Sequence, residues 1–497
     1  MFNFIRKYPL YLFLLPIFFV LHGFAENLGF VEPGEAAMLL LSYILLTLSI
    51  AFFSYFFFRN WNRASLITVF WMSFFFFFGA LHEFLKEHSP VKLLSRYSFL
   101  LSIALGTLFF LFIFFKRSKK PFQRFSIYLN SLFIIYIIVD LATIAVKLSN
   151  GDSNRLSVYG FAKDNEYPIC DTCKKPNIYF LLYDEYTNSL ALKEQYNFNN
   201  DLDSFLLSKN FRIQKHSRSN YNFTPFSMSS ILNMSYIEGI KNSNAVSADD
   251  YANCNILIRD NQLIKILDAH GYSIVNYSVF DLAGNPSRVD QSFLPLKTKL
   301  ISDRTLFAHM NKDIGWLLLT KWPFNLFVKT DFRKHKKNNE DFQELVMKEA
   351  STKNKKPRFV YAHFYMPHAP FFYDRFGKEK DIETVYKEYK VAEPGPYLDY
   401  LVFVNTKISE LVNHIQQNDS NAIIVMLSDH GFRKRGEPDP NEYFRNLNAV
   451  YFPDRDYRML YDSITNVNQF RVILNKMFYT NFPLLKDSSI LLVDKAN

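Results

Sequence analysis

The sequence predicts an α-helical transmembrane bundle of about five helices followed by an α/β domain with a mostly parallel central sheet. Three observations predict it. Phe occurs 54 times in 497 residues, and much of it is crowded before residue 150. The hydrophobic runs there are long enough to cross about 30 Å of hydrocarbon. After residue 176, short apolar runs alternate with helical patterns, as buried parallel strands and their covering helices do.

The spans are expected near residues 8–25, 36–58, 64–82, 97–115 and 126–148, so that residues 1–148 form the membrane domain. The first is expected to stay as a span and not to be a cleaved signal peptide, because no small-x-small site precedes a polar mature domain and four further spans follow it. The formal charge of +10 could suggest nucleic acid. However, residues 1–150 hold 13 Lys and Arg against 6 Asp and Glu, an excess of seven that leaves three for the rest. The excess lies in short loops, at Arg6 and Lys7, at Arg59 and Arg63, and at Lys116, Arg117, Lys119, Lys120 and Arg124. Basic loops on alternate faces mark the cytoplasmic side. No ladder of basic and aromatic residues is found, so nucleic acid is not expected as a partner. An odd number of spans starting inside ends outside, which predicts a multi-pass plasma (inner) membrane protein with a periplasmic or extracellular domain. Asp140 falls inside the fifth span, where a charge costs about 2.5–3.5 kcal/mol. It is expected either to be functional or to make a polar contact in the bundle, with His82 or Lys147.

Residues 149–175 are polar and aperiodic, as a linker is. Within them Cys170 and Cys173 are either a small disulfide or two thiols; two ligands do not make a zinc site. Cys254 has no evident partner. The catalytic domain is expected over 176–497. Its strands are predicted at 176–184, 272–277, 358–365 and 422–428. A helix should end at Gly271 as its C-cap, an amphipathic helix should cover Tyr397 to Gln416, and a solvated helix should run from Lys329 to Lys356.

Ligands of a parallel α/β sheet bind at the carboxyl ends of its strands. The first strand ends in Asp184, followed by Glu185. The run at 358–365 leads into H-F-Y-M-P-H-A-P, with His363 and His368, and the run at 422–428 ends in S-D-H-G, with Asp429 and His430. Carboxylate and imidazole together suit one divalent metal, Zn²⁺ or Mn²⁺. Singly, each motif also has an ordinary reading, since Asp and His before Gly shape turns. Thr224 with Pro225 reads as an N-cap followed by Pro at N1. It equally sets a hydroxyl where backbone N–H groups could hold a phosphoryl group. Arg433, Lys434 and Arg435 are either a solvated basic loop or contacts for substrate phosphate.

The order of P-N-I-Y-F-L-L-Y-D, T-P-F-S-M-S-S-I-L-N, H-F-Y-M-P-H-A-P and S-D-H-G over residues 176–480 resembles the alkaline phosphatase and sulfatase superfamily. With five preceding spans, the chain is similar to its membrane-anchored branch, which includes lipoteichoic acid synthases and lipid A phosphoethanolamine transferases. The resemblance implies an alkaline-phosphatase-like domain. It puts Asp184, Thr224, Asp429 and His430 at the catalytic metal, Thr224 as nucleophile, and His363 and His368 at the substrate. Thr224 cannot become the formylglycine of sulfatases that hydrolyse sulfate esters, and Met228 stands where they have Arg. The D-H-G lacks the downstream His of phosphoethanolamine transferases, so one metal is expected rather than two. The implied activity is transfer of phosphoethanolamine or phosphoglycerol from a phospholipid donor to an envelope glycan or lipid acceptor. The alternatives are a sulfatase-like hydrolase or phosphodiesterase, and a non-catalytic envelope-binding scaffold.

Overall fold

The computed structural model describes residues 8–28, 30–150, 156–158, 169–240, 242–289, 298–313, 325–391, 393–434, 436 and 439–494. Arg6, Lys7, Arg435 and part of the linker lie outside them. The chain divides into two units, Met1–Asn154 with Leu294–Lys321, and Arg155–Phe293 with Trp322–Ala496. The stretch that the sequence runs unbroken from 176 to 497 is therefore interrupted.

In the first unit, five apolar helices follow one another: α1 (Tyr11–Glu26), α2 (Pro33–Phe58), α3 (Trp61–His88), α4 (Tyr97–Arg117) and α5 (Gln123–Asn150). Of these, α2 to α5 are long and apolar enough to cross a membrane, while α1 is apolar but has 16 residues. Start signals are legible: Pro33 opens α2, and the Asn60 side chain accepts from the Arg63 N–H at the head of α3. Phe52, Phe53, Phe56, Phe109 and Phe110 are exposed, as lipid-facing side chains are. Packing is aromatic, with Phe19 stacked on Phe76 at 4.4 Å between ring centres. The Asn130 amide ties α5 to the start of α1, accepting from the Tyr11 N–H at 2.7 Å and donating to the Tyr8 carbonyl at 2.9 Å.

Asp140 is buried, and its partner is neither of the two that the sequence suggests. His22 of α1 places Nδ1 3.0 Å from Asp140 Oδ1. Lys147 instead donates to the carbonyl of Ala25 at 2.8 Å, and His82 packs against Phe78 and Tyr97. The extensive packing of α1 against α5, two helices far apart in sequence, explains why proximity along the chain misleads here.

Two short helices, Lys299–Ser302 and Leu306–Asp313, belong to this unit. They approach through glycines. The Gly79 N–H donates to the Arg304 carbonyl at 2.9 Å, and a Cβ on Gly79 would stand 2.6 Å from that oxygen. Only glycine permits such a contact.

The second unit is built on a six-stranded sheet of β1 (Ile178–Tyr183), β2 (Arg212–Ile213), β3 (Ser273–Tyr277), β4 (Arg358–Phe364), β5 (Ile423–Leu427) and β6 (Asn448–Tyr451). The spatial order is β2-β6-β5-β1-β4-β3; β3, β4, β1 and β5 run parallel, β6 runs against them, and β2 pairs antiparallel with β6. Every residue of β1, β4 and β5 is buried, which is why they read as unbroken apolar runs. The two antiparallel strands, four and two residues long, are too short to signal themselves by alternation. Ser157–Val158, within the stretch read as linker, pairs with Ile237–Glu238. Cys170 and Cys173 form a disulfide.

The helices of this unit include α6 (Thr224–Asn233), α7 (Asn325–Ser351), α8 (Pro394–Asn418) and α9 (Asn466–Phe478). In α8, Tyr397, Tyr400, Leu401, Val404, Ile408, Leu411, Val412 and Ile415 form one buried stripe. The solvated helix read over 329–356 proves amphipathic: α7 buries Phe342, Val346 and Ala350 in the same core as β1 and α8. The helix Gln262–Ala269 has His270 as its C-cap, and Gly271, read from the sequence as that cap, stands one position beyond it at φ +83°.

Candidate active site

The site grows from strand register. Leu182 of β1 lies opposite His363 of β4 on one side and Leu427 of β5 on the other. Two residues beyond, at the carboxyl edge, come Asp184 and Asp429. The chain turns away at once through Glu185, which holds a left-handed φ of +63° and donates its N–H to Asp429 Oδ1 at 3.0 Å. Asp429, His430 and Asp184 are all fully buried or nearly so. Their ligand atoms lie within 4.8 Å of one another, and among the described residues this is the group of His, Cys, Asp and Glu disposed to hold a metal ion.

Helix α6 enters the same edge. Its first residue is Thr224, one position later in role than the N-cap that the sequence suggests; Phe223 is the N-cap and has an extended backbone. The Thr224 hydroxyl lies 3.4 Å from His430 Nε2. Ser227 locks the helix in place by donating to the Asp429 carbonyl at 2.5 Å.

The two further histidines take different places. His363 is buried in β4, with Nδ1 3.1 Å from the Tyr361 hydroxyl and Nε2 3.4 Å from Asp184 Oδ2. His368 is more open. Its Nε2 is 3.7 Å from Glu185 Oε2 and 3.5 Å from Arg433 Nη2, and its ring packs on Tyr365 at 4.4 Å. Arg433 is anchored twice on Glu185 Oε1, through its backbone N–H at 3.0 Å and its Nε at 3.3 Å. Its guanidinium also sits 5.5 Å from the ring centre of Phe223, the neighbour of Thr224.

Electrostatics separate these groups. Burial, and then the facing Asp429 carboxylate, push the Asp184 pKa well above its ordinary value. Burial, with Arg433 adding to it, pushes His430 well below, and burial takes His363 down to about 4. Burial alone would raise Glu185; the charges of His368 and Arg433 outweigh it and hold this carboxyl below its usual range.

Asp184 Oδ1 and Asp429 Oδ2 are buried without hydrogen-bond partners. Two facing carboxylates with open oxygens beside a neutral imidazole are a poor arrangement for stability and a fitting one for a divalent cation. The donor set therefore fits the group.

All six residues singled out in the sequence, Asp184, Thr224, His363, His368, Asp429 and His430, lie at this one edge of the sheet. Sequence reasoning assigned no role to Glu185 and left Arg433 undecided. The signal for both was position: Glu185 follows the strand-ending Asp, and Arg433 follows D-H-G closely. Lys434, by contrast, is tied through its carbonyl to the Tyr443 hydroxyl at 3.3 Å.

Residues 242–471 match the family model described as Sulfatase. No curated protein matches the chain. Similar solved structures include the C-terminal periplasmic domain of EcEptC from Escherichia coli, at 12% identity over 67% of this chain and 95% of that one, with a TM-score of 0.38. The soluble domain of lipooligosaccharide phosphoethanolamine transferase A from Neisseria meningitidis is similar at 14% identity, over 63% and 90% of the two chains, with a TM-score of 0.37. The C-terminal periplasmic domain of phosphoethanolamine transferase EptC from Campylobacter jejuni is similar at 12% identity, over 63% and 93%, with a TM-score of 0.34.

Proposed function

We propose that this chain, whose residues 242–471 match the family model described as Sulfatase, is a membrane-bound, metal-dependent phosphotransferase of the alkaline phosphatase and sulfatase superfamily. It moves a phosphoethanolamine or phosphoglycerol group from a phospholipid to a cell-envelope glycan or lipid, with its catalytic domain outside the cytoplasm. One observation carries this: the Thr224 hydroxyl lies 3.4 Å from His430 Nε2, at the rim of the Asp184, Asp429 and His430 group. Apolar helices of crossing length in the same chain favour a lipid donor.

Asp184, Asp429 and His430 would hold one divalent cation, Zn²⁺ or Mn²⁺. When bound it would lower the pKa of an adjacent hydroxyl and offset charge at phosphorus. Thr224 Oγ1 gives its proton to water and forms the new bond to phosphorus while the bond to the diacylglycerol oxygen breaks, leaving the headgroup as a phosphodiester on Thr224. His368, the more exposed of the two histidines, hands a proton to the departing oxygen. Arg433, fixed on Glu185 beside Phe223, and the backbone N–H groups opening α6 hold the non-bridging oxygens. His363 supports Asp184 from behind. An acceptor hydroxyl, its proton taken by His368, then attacks the same phosphorus, and the bond to Thr224 Oγ1 breaks, that oxygen recovering a proton from water.

Full-length protein in vesicles containing headgroup-labelled phospholipid tests this. Intact-protein mass spectrometry should find one headgroup phosphate on Thr224, absent from the T224A variant and discharged by an acceptor. Release of labelled headgroup into water with no adduct in a rapidly quenched sample would favour hydrolysis instead.

A further inference from the structure

The helices α7 and α8 pack in the same core and leave a groove between them. Each leads into the start of a parallel strand, β4 or β5, so their first halves lie toward the carboxyl edge of the sheet. The groove holds about 240 Å³, room for roughly eight waters at about 30 Å³ each. A pocket for a drug-sized ligand has roughly 300–1,000 Å³, so this one is sized for a single ring. Its upper end rests on the segment that carries His368. Asn339 of α7 clamps the Tyr365 main chain, accepting from its N–H at 2.8 Å and donating to its carbonyl at 3.2 Å. Met366 lines the groove, and the Tyr365 ring packs on His368. The groove shares no residue with the group of Asp184, Asp429 and His430.

Aromatic rings and charges both line it. Tyr373 and Phe403 stack at 4.4 Å between ring centres. Lys336 Nζ stands 5.2 Å from the centre of the Tyr373 ring and Lys407 Nζ 5.7 Å from that of Phe403. Glu340, Glu344 and Glu410 set three carboxylates against these two ammoniums. Gln343 is 8% exposed. Its amide nitrogen donates to Glu410 Oε2 at 3.2 Å and to the Lys407 carbonyl at 3.4 Å, while its Oε1 accepts nothing among the described residues. An amide held this deep with its carbonyl unanswered points to a ligand that donates.

The lining disfavours three ligand classes. An anion meets an excess of carboxylate. A cation finds Lys336 and Lys407 already over the rings. A wholly apolar molecule leaves Gln343 Oε1 unanswered and strips water from charged side chains. A ring carrying several hydroxyls suits every group, since each hydroxyl both donates and accepts, and its C–H face packs on the aromatic rings. We propose that the groove between α7 and α8 binds a pyranose residue of a glycan, at a site separate from the phosphoryl-transfer centre. The inference goes beyond the transferase reading and does not rest on it.

Full-length protein in phosphatidylcholine nanodiscs, which bring no sugar-headed detergent, tests this. Saturation-transfer NMR is recorded with methyl glucoside, methyl mannoside, methyl galactoside and N-acetylglucosamine. At least one should give a saturable signal. Q343L and E410Q should each weaken that ligand's binding roughly tenfold, whereas T224A and exhaustive chelation should leave it unchanged. Gln343 is buried and Glu410 is exposed, so E410Q decides the matter where Q343L does not fold. Absence of a saturable signal from all four sugars would overturn the proposal. So would either folded variant binding as the wild type does, or loss of the signal in T224A or on chelation, which would put the sugar at the metal group. None of these results bears on the Thr224 adduct, so the two readings fail separately.

Discussion

Asp140 in α5 and Asp184 after β1 are both more than nine-tenths buried, and the chain surrounds them differently. Asp140 has a base brought to one of its oxygens, His22 from a neighbouring helix. Asp184 has the Asp429 carboxylate brought toward it, and the imidazole at its Oδ2, His363 at 3.4 Å, is held neutral by burial. A buried acid met by a base can repay part of its desolvation within the chain; two acids set together cannot. The sheet unit thus holds an arrangement whose natural completion is a cation, while the helical unit comes nearer to completing its own.

The largest effect should follow from D184N. Asparagine keeps the shape of the side chain and removes the negative charge. Transfer should fall on the order of 10⁴-fold or more, as when one member of a catalytic constellation is lost. The metal-free protein, however, should become more stable, because Asp184 no longer faces Asp429. Thermal unfolding after exhaustive chelation measures this. A D184N protein that is less stable than wild type without metal would break the contrast with Asp140.

A middle-sized effect is expected from pH. His363 is held at about 4 against an ordinary 6.5 by burial. A base whose pKa is depressed by folding is protonated first in the unfolded chain. Stability of the metal-free protein therefore falls as pH drops from 6.5 toward about 4, by about 3 kcal/mol from this group. His430 acts in the same direction. Asp184, whose pKa is raised in the fold, acts oppositely, losing stability as pH rises above its ordinary value. In D184N the histidine slope should stand alone, and adding H363Q should flatten much of it. Unfolding midpoints from pH 7 to pH 4 check both. The same shift makes metal binding release a proton from Asp184, so affinity should rise with pH.

What could be foreseen depended on whether a residue's neighbours were near in sequence or in space. The helices α2 to α5 and strands β1, β4 and β5 announce themselves by long apolar runs, and β3 by a shorter one. Asp184, Asp429 and His430 could be grouped because parallel strands align their carboxyl ends. Strands β2 and β6 are too short for periodicity, and Ser157–Val158 forms a strand only through its distant partner Ile237–Glu238. The buried face of α7 was hidden by its many Lys, Asn and Glu. Glu185 and Arg433 form a pair across 248 positions, which no local pattern reports. His22 was passed over for the same reason: its partner lies 118 residues away.

The smallest effect sharpens the comparison from the helical side. D140N leaves an acceptor for His22 Nδ1 and removes only the ionic part of the contact, so it should lower stability by about 1 kcal/mol, the scale of one net hydrogen bond in a helical membrane bundle. D140A should cost more, since His22 then loses its partner altogether. A double-mutant cycle on His22 and Asp140, followed by thermal unfolding of the full chain in detergent, isolates the pair. Coupling of about 0.5 kcal/mol or more would mean that this buried acid is answered within the chain. Coupling near zero would put Asp140 beside Asp184, as a second acid kept for something that binds.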